Sequence, residues 1–109
     1  MAERMPAATH LQFLVLAVLK DSELPGREIR RIIARFGVRR TSAAFYQMMA
    51  RLERVCWVEG WYEQIAVGDQ AVTERRYRLK PAGLRAYDEA RDFYESVGLA
   101  SSRKRWSDA

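Results

Sequence analysis

Residues 41–55, TSAAFYQMMARLERV, constrain this chain more than any other stretch. Wound as a helix, Phe45, Met48, Met49, Leu52 and Val55 recur at i, i+3, i+4, i+7 and i+10 and make one stripe that has to be buried. The other side holds Ala43, Tyr46, Gln47, Ala50 and Arg54. Solvated helix faces tend to carry Glu and Lys, and this one carries small residues, a hydroxyl, an amide and a guanidinium. Small residues let a helix approach a surface closely, and the polar tips can then reach base edges. A recognition helix is one reading; an ordinary amphipathic helix whose outer face is short of charge is the other.

The segments before it favour the first. Thr9 is placed to cap a helix from His10 to Lys20. Leu11 to Leu19 is apolar apart from Gln12, so that helix needs cover on most sides, and a second subunit can supply it. It is too short to cross a bilayer. After a polar break at 21–24, Pro25 opens GREIRRIIARF, whose Ile29, Ile32, Ile33 and Phe36 form the inner face and whose Arg27, Arg30, Arg31 and Arg35 form the back. Gly37 ends it. Thr41 or Ser42 then caps the next helix. Between positions 27 and 40 stand six Arg and one acid, Glu28. Arg39 and Arg40 lie at the N-terminus of helix 41–55, where anions are favoured. The same run can be read as a solvated basic face.

Beyond Val55, the aromatic and branched run at 56–65 predicts a strand. Residues 67–73, with Gly68-Asp69, predict the tip, and 74–79 the return strand, with Arg75 and Arg76 near that tip. Pro81 opens a last helix, where Gly83, Ala86, Tyr87, Ala90, Phe93, Tyr94 and Val97 make an apolar band. Residues 1–8 read as a frayed arm and 98–109 as a flexible basic tail. The fold class is therefore mainly α with a small β-hairpin. It comprises a winged helix-turn-helix at 9–80 and a C-terminal dimerisation helix at 81–97.

Three segments taken together resemble the PadR-like family of winged helix-turn-helix transcriptional regulators. LVLAVLKDSELPGREI (14–29) is similar to the family's apolar first helix followed by Gly, a variable residue and Glu-Ile. SAAFYQMMARLERVCWVE (42–59) resembles its recognition helix, and RRYRLKPAG (75–83) its return strand and the start of its last helix. Three departures stand out: Gln47 replaces a usual Pro, Cys56 a usual Gly, and Lys80 a capping Thr. The resemblance implies a homodimeric DNA-binding repressor joined through its first and last helices, some of whose relatives respond to a small aromatic effector.

Composition limits the alternatives. Net charge is +5, with 16 Arg against 3 Lys, a balance suited to phosphate. The single cysteine, Cys56, can form no internal disulfide, which points to a reducing, cytoplasmic setting; beside Trp57 it reads as a small core residue. One His, one Cys and no ligand-spaced cluster argue against a metal site, and no phosphate-cradling Gly loop occurs. No cofactor and no enzymatic activity are expected.

The leading expectation is sequence-specific binding of double-stranded DNA by a homodimer. Tyr46, Gln47 and Arg54 would meet base edges. Arg39, Arg40, Thr41, Ser42 and Arg51 would hold phosphate, and Arg75 or Arg76 would reach an adjacent backbone or minor groove. The dimer interface would use Leu11, Leu14, Tyr87, Ala90, Phe93, Tyr94 and Val97. Trp57 and Trp61 could line a pocket for a flat aromatic effector, or could simply be core. The competing function is a winged-helix protein-interaction module that binds no specific DNA, since one fold serves both uses.

Overall fold

The computed structural model describes residues 5–107, with side chains described through 100. In chain order the elements are α1 (His10–Val18), β1 (Leu24–Pro25), α2 (Gly26–Arg35), α3 (Ser42–Arg54), β2 (Val58–Val67), β3 (Gln70–Leu79) and α4 (Pro81–Ser107). The strands form an antiparallel sheet in the order β1-β3-β2.

Each helix start has a chemical cause. At α1, Thr9 and Gln12 form a reciprocal capping box: the Gln12 amide donates to Thr9 Oγ1 at 3.2 Å and the Thr9 amide to Gln12 Oε1 at 3.0 Å. At α3 the Ala44 amide donates to Thr41 Oγ1 at 3.1 Å, which settles Thr41 rather than Ser42 as the cap.

The C-terminal ends of α2 and α3 share one geometry. Gly37 (φ 87°) and Cys56 (φ 62°) both adopt the left-handed backbone. After α2, the Gly37 amide donates to the Ala34 carbonyl and the Val38 amide to the Ile33 carbonyl. After α3, Cys56 donates to Glu53 and Trp57 to Leu52. These are paired Schellman closures. They correct three expectations. Phe36 and Val55 do not join the buried stripes; each is a C-cap residue and stands 69% and 53% exposed. Val38 and Trp57, two residues further on, turn back and pack on the core instead. Cys56 is not a core residue either, because the left-handed turn carries its side chain into solvent.

The core joins Val15 and Leu16 of α1 and its C-cap Leu19, Ile29 and Ile33 of α2, and Phe45, Met49 and Leu52 of α3. Val58 and Tyr77 of the sheet and Tyr87 and Ala90 of α4 complete it. The three-helix layer therefore sits on the base of the hairpin and is closed by the start of α4. That closure is tight: a Cβ at Gly83 would stand 2.0 Å from the Trp57 carbonyl oxygen.

Other boundaries move. Leu24 and Pro25 form a short strand paired with Tyr77 and Arg76, where a polar break ending at Leu24 and a helix opening at Pro25 were expected. The hairpin is longer and its turn tighter than expected, with only Gly68-Asp69 between β2 and β3. The arm is tied down where it is described: Ala8 is buried and the Ala7 amide donates to Glu89 at 3.2 Å. Residues 1–4 and 108–109 lie outside the described residues. The expected flexible tail is a correction: α4 continues helically through Gly98 to Ser107.

Candidate nucleic-acid interface

Helix α3 divides as its spacing requires. Phe45, Met49 and Leu52 are fully buried, while Ala43, Gln47, Arg51 and Arg54 are exposed and Ala50 is half-buried. Tyr46 departs from the expected open face. Its ring meets Phe45 edge-on at 5.0 Å, and it packs so closely on the start of α2 that a Cβ at Gly26 would lie 2.7 Å from its hydroxyl. Tyr46 is half-buried and braces α3 against α2.

Gln47, Arg51, Ala44 and Arg40 border a concave surface of about 340 Å³ that reaches Thr9 at the start of α1. Ser42 and Thr41 lie exposed at the N-terminus of α3, next to Arg39 and Arg40. Among the described residues Arg39, Arg40, Arg51 and Arg54 have no carboxylate partner. A second groove, of about 290 Å³, lies between α2 and the α2–α3 turn, and Arg40 borders it too. Arg40 thus adjoins both the exposed face of α3 and the Arg-rich back of α2.

The hairpin arginines are placed otherwise than expected. Arg75 and Arg76 sit mid-strand opposite Tyr62 and Trp61, well away from the Gly68-Asp69 turn. Arg75 Nη2 lies 2.6 Å from Glu53 Oε1, and its guanidinium is stacked 4.6 Å from the Tyr62 ring centre. Arg76 contacts Glu74 at 2.6 Å, Glu63 at 3.3 Å and Glu23 at 3.7 Å. Both side chains are mostly covered, so neither is a free phosphate grip. Their work is internal: Arg75 ties the hairpin to α3, and Arg76 ties both strands to the segment before α2. The hydrogen bond from Arg76 lowers the Glu74 pKa, helped by Arg27 and opposed by burial. Burial pushes the Tyr77 hydroxyl up to about 12, against a nearby Arg75 that favours the ionised form.

The residues assigned to an interface and a pocket also separate. Tyr87 and Ala90 are buried within their own chain, where Tyr87 stacks on Phe13 at 5.4 Å. That burial removes them from a dimer contact. Leu11, Leu14, Phe93 and Tyr94 remain half-covered, and Val97 is 45% exposed. His10, given no role by the sequence, stacks on Tyr94, with its Nδ1 2.9 Å from the hydroxyl. Trp57 packs on the core, whereas Trp61 lies on the opposite side of the sheet under Arg78. The cleft between α3 and the hairpin, about 480 Å³, is lined instead by Tyr46, Ala50, Glu53, Tyr62, Arg75 and Tyr77.

The fold is shared with solved structures. A PadR family transcription regulator from Clostridium difficile R20291 superimposes with a TM-score of 0.73 at 13% identity, covering 87% of this chain and 97% of that one. A transcriptional regulator from Clostridium thermocellum gives 0.67 at 18% identity, with 86% and 88% covered. Bacillus subtilis PadR, solved in complex with operator DNA, gives 0.61 at 18% identity, with 90% and 62% covered. The chain has a PadR-like winged-helix fold. No family model matches the sequence, and no curated protein matches it. The PadR-like frame is therefore carried by the order of elements and by buried positions rather than by overall identity. Within it, β2 and β3 are the wing and α3 is the third helix of the winged-helix domain. Among the described residues no helix is long and apolar enough to cross a membrane.

Proposed function

We propose that this chain is a transcriptional regulator, acting as a repressor, that binds a specific double-stranded DNA site as a homodimer. One observation carries the reading. The exposed face of α3 presents Ala43, Gln47, Arg51 and Arg54 without an acidic residue, and Arg39 and Arg40 at its N-terminus have no carboxylate partner among the described residues. Such a face can enter a major groove, with Gln47 and Arg54 at base edges and Thr41, Ser42, Arg39, Arg40 and Arg51 on phosphate. Bacillus subtilis PadR, held with operator DNA, lends support by analogy of fold. The role is binding rather than catalysis, in the cytoplasm, with no cofactor.

Two-fold pairing places the half-sites about one helical turn apart. Selection of bound sequences from a random duplex pool tests the reading directly. The expected product is a pseudo-palindrome. Affinity for it should fall roughly 10³- to 10⁵-fold between 50 and 200 mM salt, for about 6–10 phosphate contacts per dimer. Failure to enrich any sequence would overturn specific recognition.

A second reading, a protein-interaction module, is favoured by the wing. Its arginines are committed internally, and Tyr62, Val67 and Val72 are 71%, 57% and 40% exposed. Absence of any gel retardation at micromolar protein and low salt would select it.

A further inference from the structure

The back of α2 holds a charge arrangement that folding alone leaves unresolved. Arg27, Arg30, Arg31, Arg39 and Arg40 converge on the groove of about 290 Å³ beside the α2–α3 turn. Two of the five are neutralised within the chain. Arg27 reaches Glu74 at 3.1 Å, and Arg31 pairs with Glu28. The other three have no carboxylate partner among the described residues, and Arg30 is half-buried. Arg30 Nη2 donates to the Arg40 carbonyl at 2.9 Å, so this guanidinium holds the turn and draws like charges together. Three uncompensated guanidiniums around one concavity repel one another. A tetrahedral anion that accepts from several planar forks at once relieves that repulsion.

We infer that this groove is a phosphate site that seats the DNA backbone beside the base pairs contacted by α3, with Arg30 as its central cation. The inference rests on the proposed DNA-binding function and adds to it an anchor made by α2. Continuity identifies the occupant: Arg40 borders both this groove and the concavity containing Gln47 and Arg51. A backbone that passes the N-terminus of α3 runs from one into the other. The groove also supplies a contact that Arg75 and Arg76 do not, since they are held by Glu53, Glu74, Glu63 and Glu23.

The test is the slope of log affinity against log salt on one selected duplex, read by fluorescence anisotropy with the full chain. Arg30→Gln removes the charge and keeps a polar side chain, although the shorter amide no longer reaches the Arg40 carbonyl. It should make the slope shallower by about 1.8, about 0.9 for each protomer of the bound dimer, and weaken all duplexes alike, without reordering their preference. Glu28→Gln releases Arg31 at the rim and should steepen the slope, which decides the matter should Arg30→Gln fold poorly. Unchanged slopes in both variants, with wild-type binding intact, overturn the groove and leave recognition by α3 standing. A wild-type chain that binds no duplex removes both.

Discussion

Tyr46 and Gln47 are neighbours in the chain with opposite structural duties, and their substitutions should separate cleanly. Gln47 is exposed, so Gln47→Ala should change unfolding free energy by no more than about 0.5 kcal/mol. If it reads a base, the same change should cost about 1–3 kcal/mol of discrimination at one position of the site. Tyr46→Ala should lower stability by about 2 kcal/mol, because it opens the space between Phe45 and Gly26. Urea unfolding and competition binding measure the two quantities. An unaltered site preference in Gln47→Ala would remove that residue from base contact. Cys56 makes a further prediction at this scale. Its left-handed backbone costs an L-residue roughly 1–2 kcal/mol, part of which glycine returns as lost chain freedom. Cys56→Gly should therefore stabilise the fold by about 0.5–1 kcal/mol in the same unfolding experiment. The sequence showed where the glycine was missing but not how the helix would end. Only the hydrogen bonds from Cys56 and Trp57 back to Glu53 and Leu52 reveal that the glycine geometry is kept without the glycine.

Elements were legible where one periodicity governed them. The four helices and the hairpin follow from their apolar spacing, and Thr9, Thr41 and Gly37 mark three of the boundaries. The errors fall where a helix stops. Counting every third or fourth residue carried the stripes one step too far, to Phe36 and Val55, because periodicity does not register the reversal that buries Val38 and Trp57 in their place. Strand β1 was invisible because two residues have no period, and its pairing with β3 is set 53 positions away in the chain, as between Leu24 and Tyr77. The wing arginines were misassigned for a related reason. Charge is written in the sequence, but the partner is not: Glu53 and Arg75 meet only once the hairpin folds back on α3. The network around Arg76 has a testable pH signature. The folded-state pKa of Glu74 is lowered from 4.5, so its contribution is fully present above the unfolded value and is lost as pH falls through the lower folded one. Thermal midpoints should decline on acidification below about pH 4.5, and Glu74→Gln, less stable at neutral pH, should flatten part of that decline. A variant with the wild-type acid limb would show that Glu74 does not contribute to it.

At the scale of the whole molecule, α4 does two jobs along its length. Its first turns belong to the core, through Gly83 against Trp57 and through Tyr87 and Ala90 against α1. Its later turns do not. The helix is 27 residues long, about 40 Å at 1.5 Å per residue, and the molecule is 64 Å along its longest axis against 26 and 23 Å across. Val97 and Leu99 stand 45% and 64% exposed along this part, with Phe93 and Tyr94 half-covered before them. The sequence placed the end at Gly98, but an interior glycine costs a helix only about 0.5–1 kcal/mol, too little to stop one this long. An apolar flank on a rod that leaves its own core is suited to a second copy of the chain, with the half-covered Leu11 and Leu14 of α1 as further contacts. Phe93 and Val97, four residues apart, lie on that flank, whereas Leu99 lies across the helix from Val97; Val97→Asp therefore puts a charge on the flank and touches none of the buried core. Sedimentation equilibrium should then shift from dimer to monomer, while circular dichroism and the thermal midpoint of the domain stay near wild type. On a two-half-site duplex the monomer loses the linkage between sites, so apparent affinity should drop roughly 10²- to 10⁴-fold, whereas affinity for a single half-site should change little. A variant that stays dimeric would place the interface elsewhere. A monomer that binds the full duplex as tightly as wild type would mean that pairing through α4 does not serve recognition.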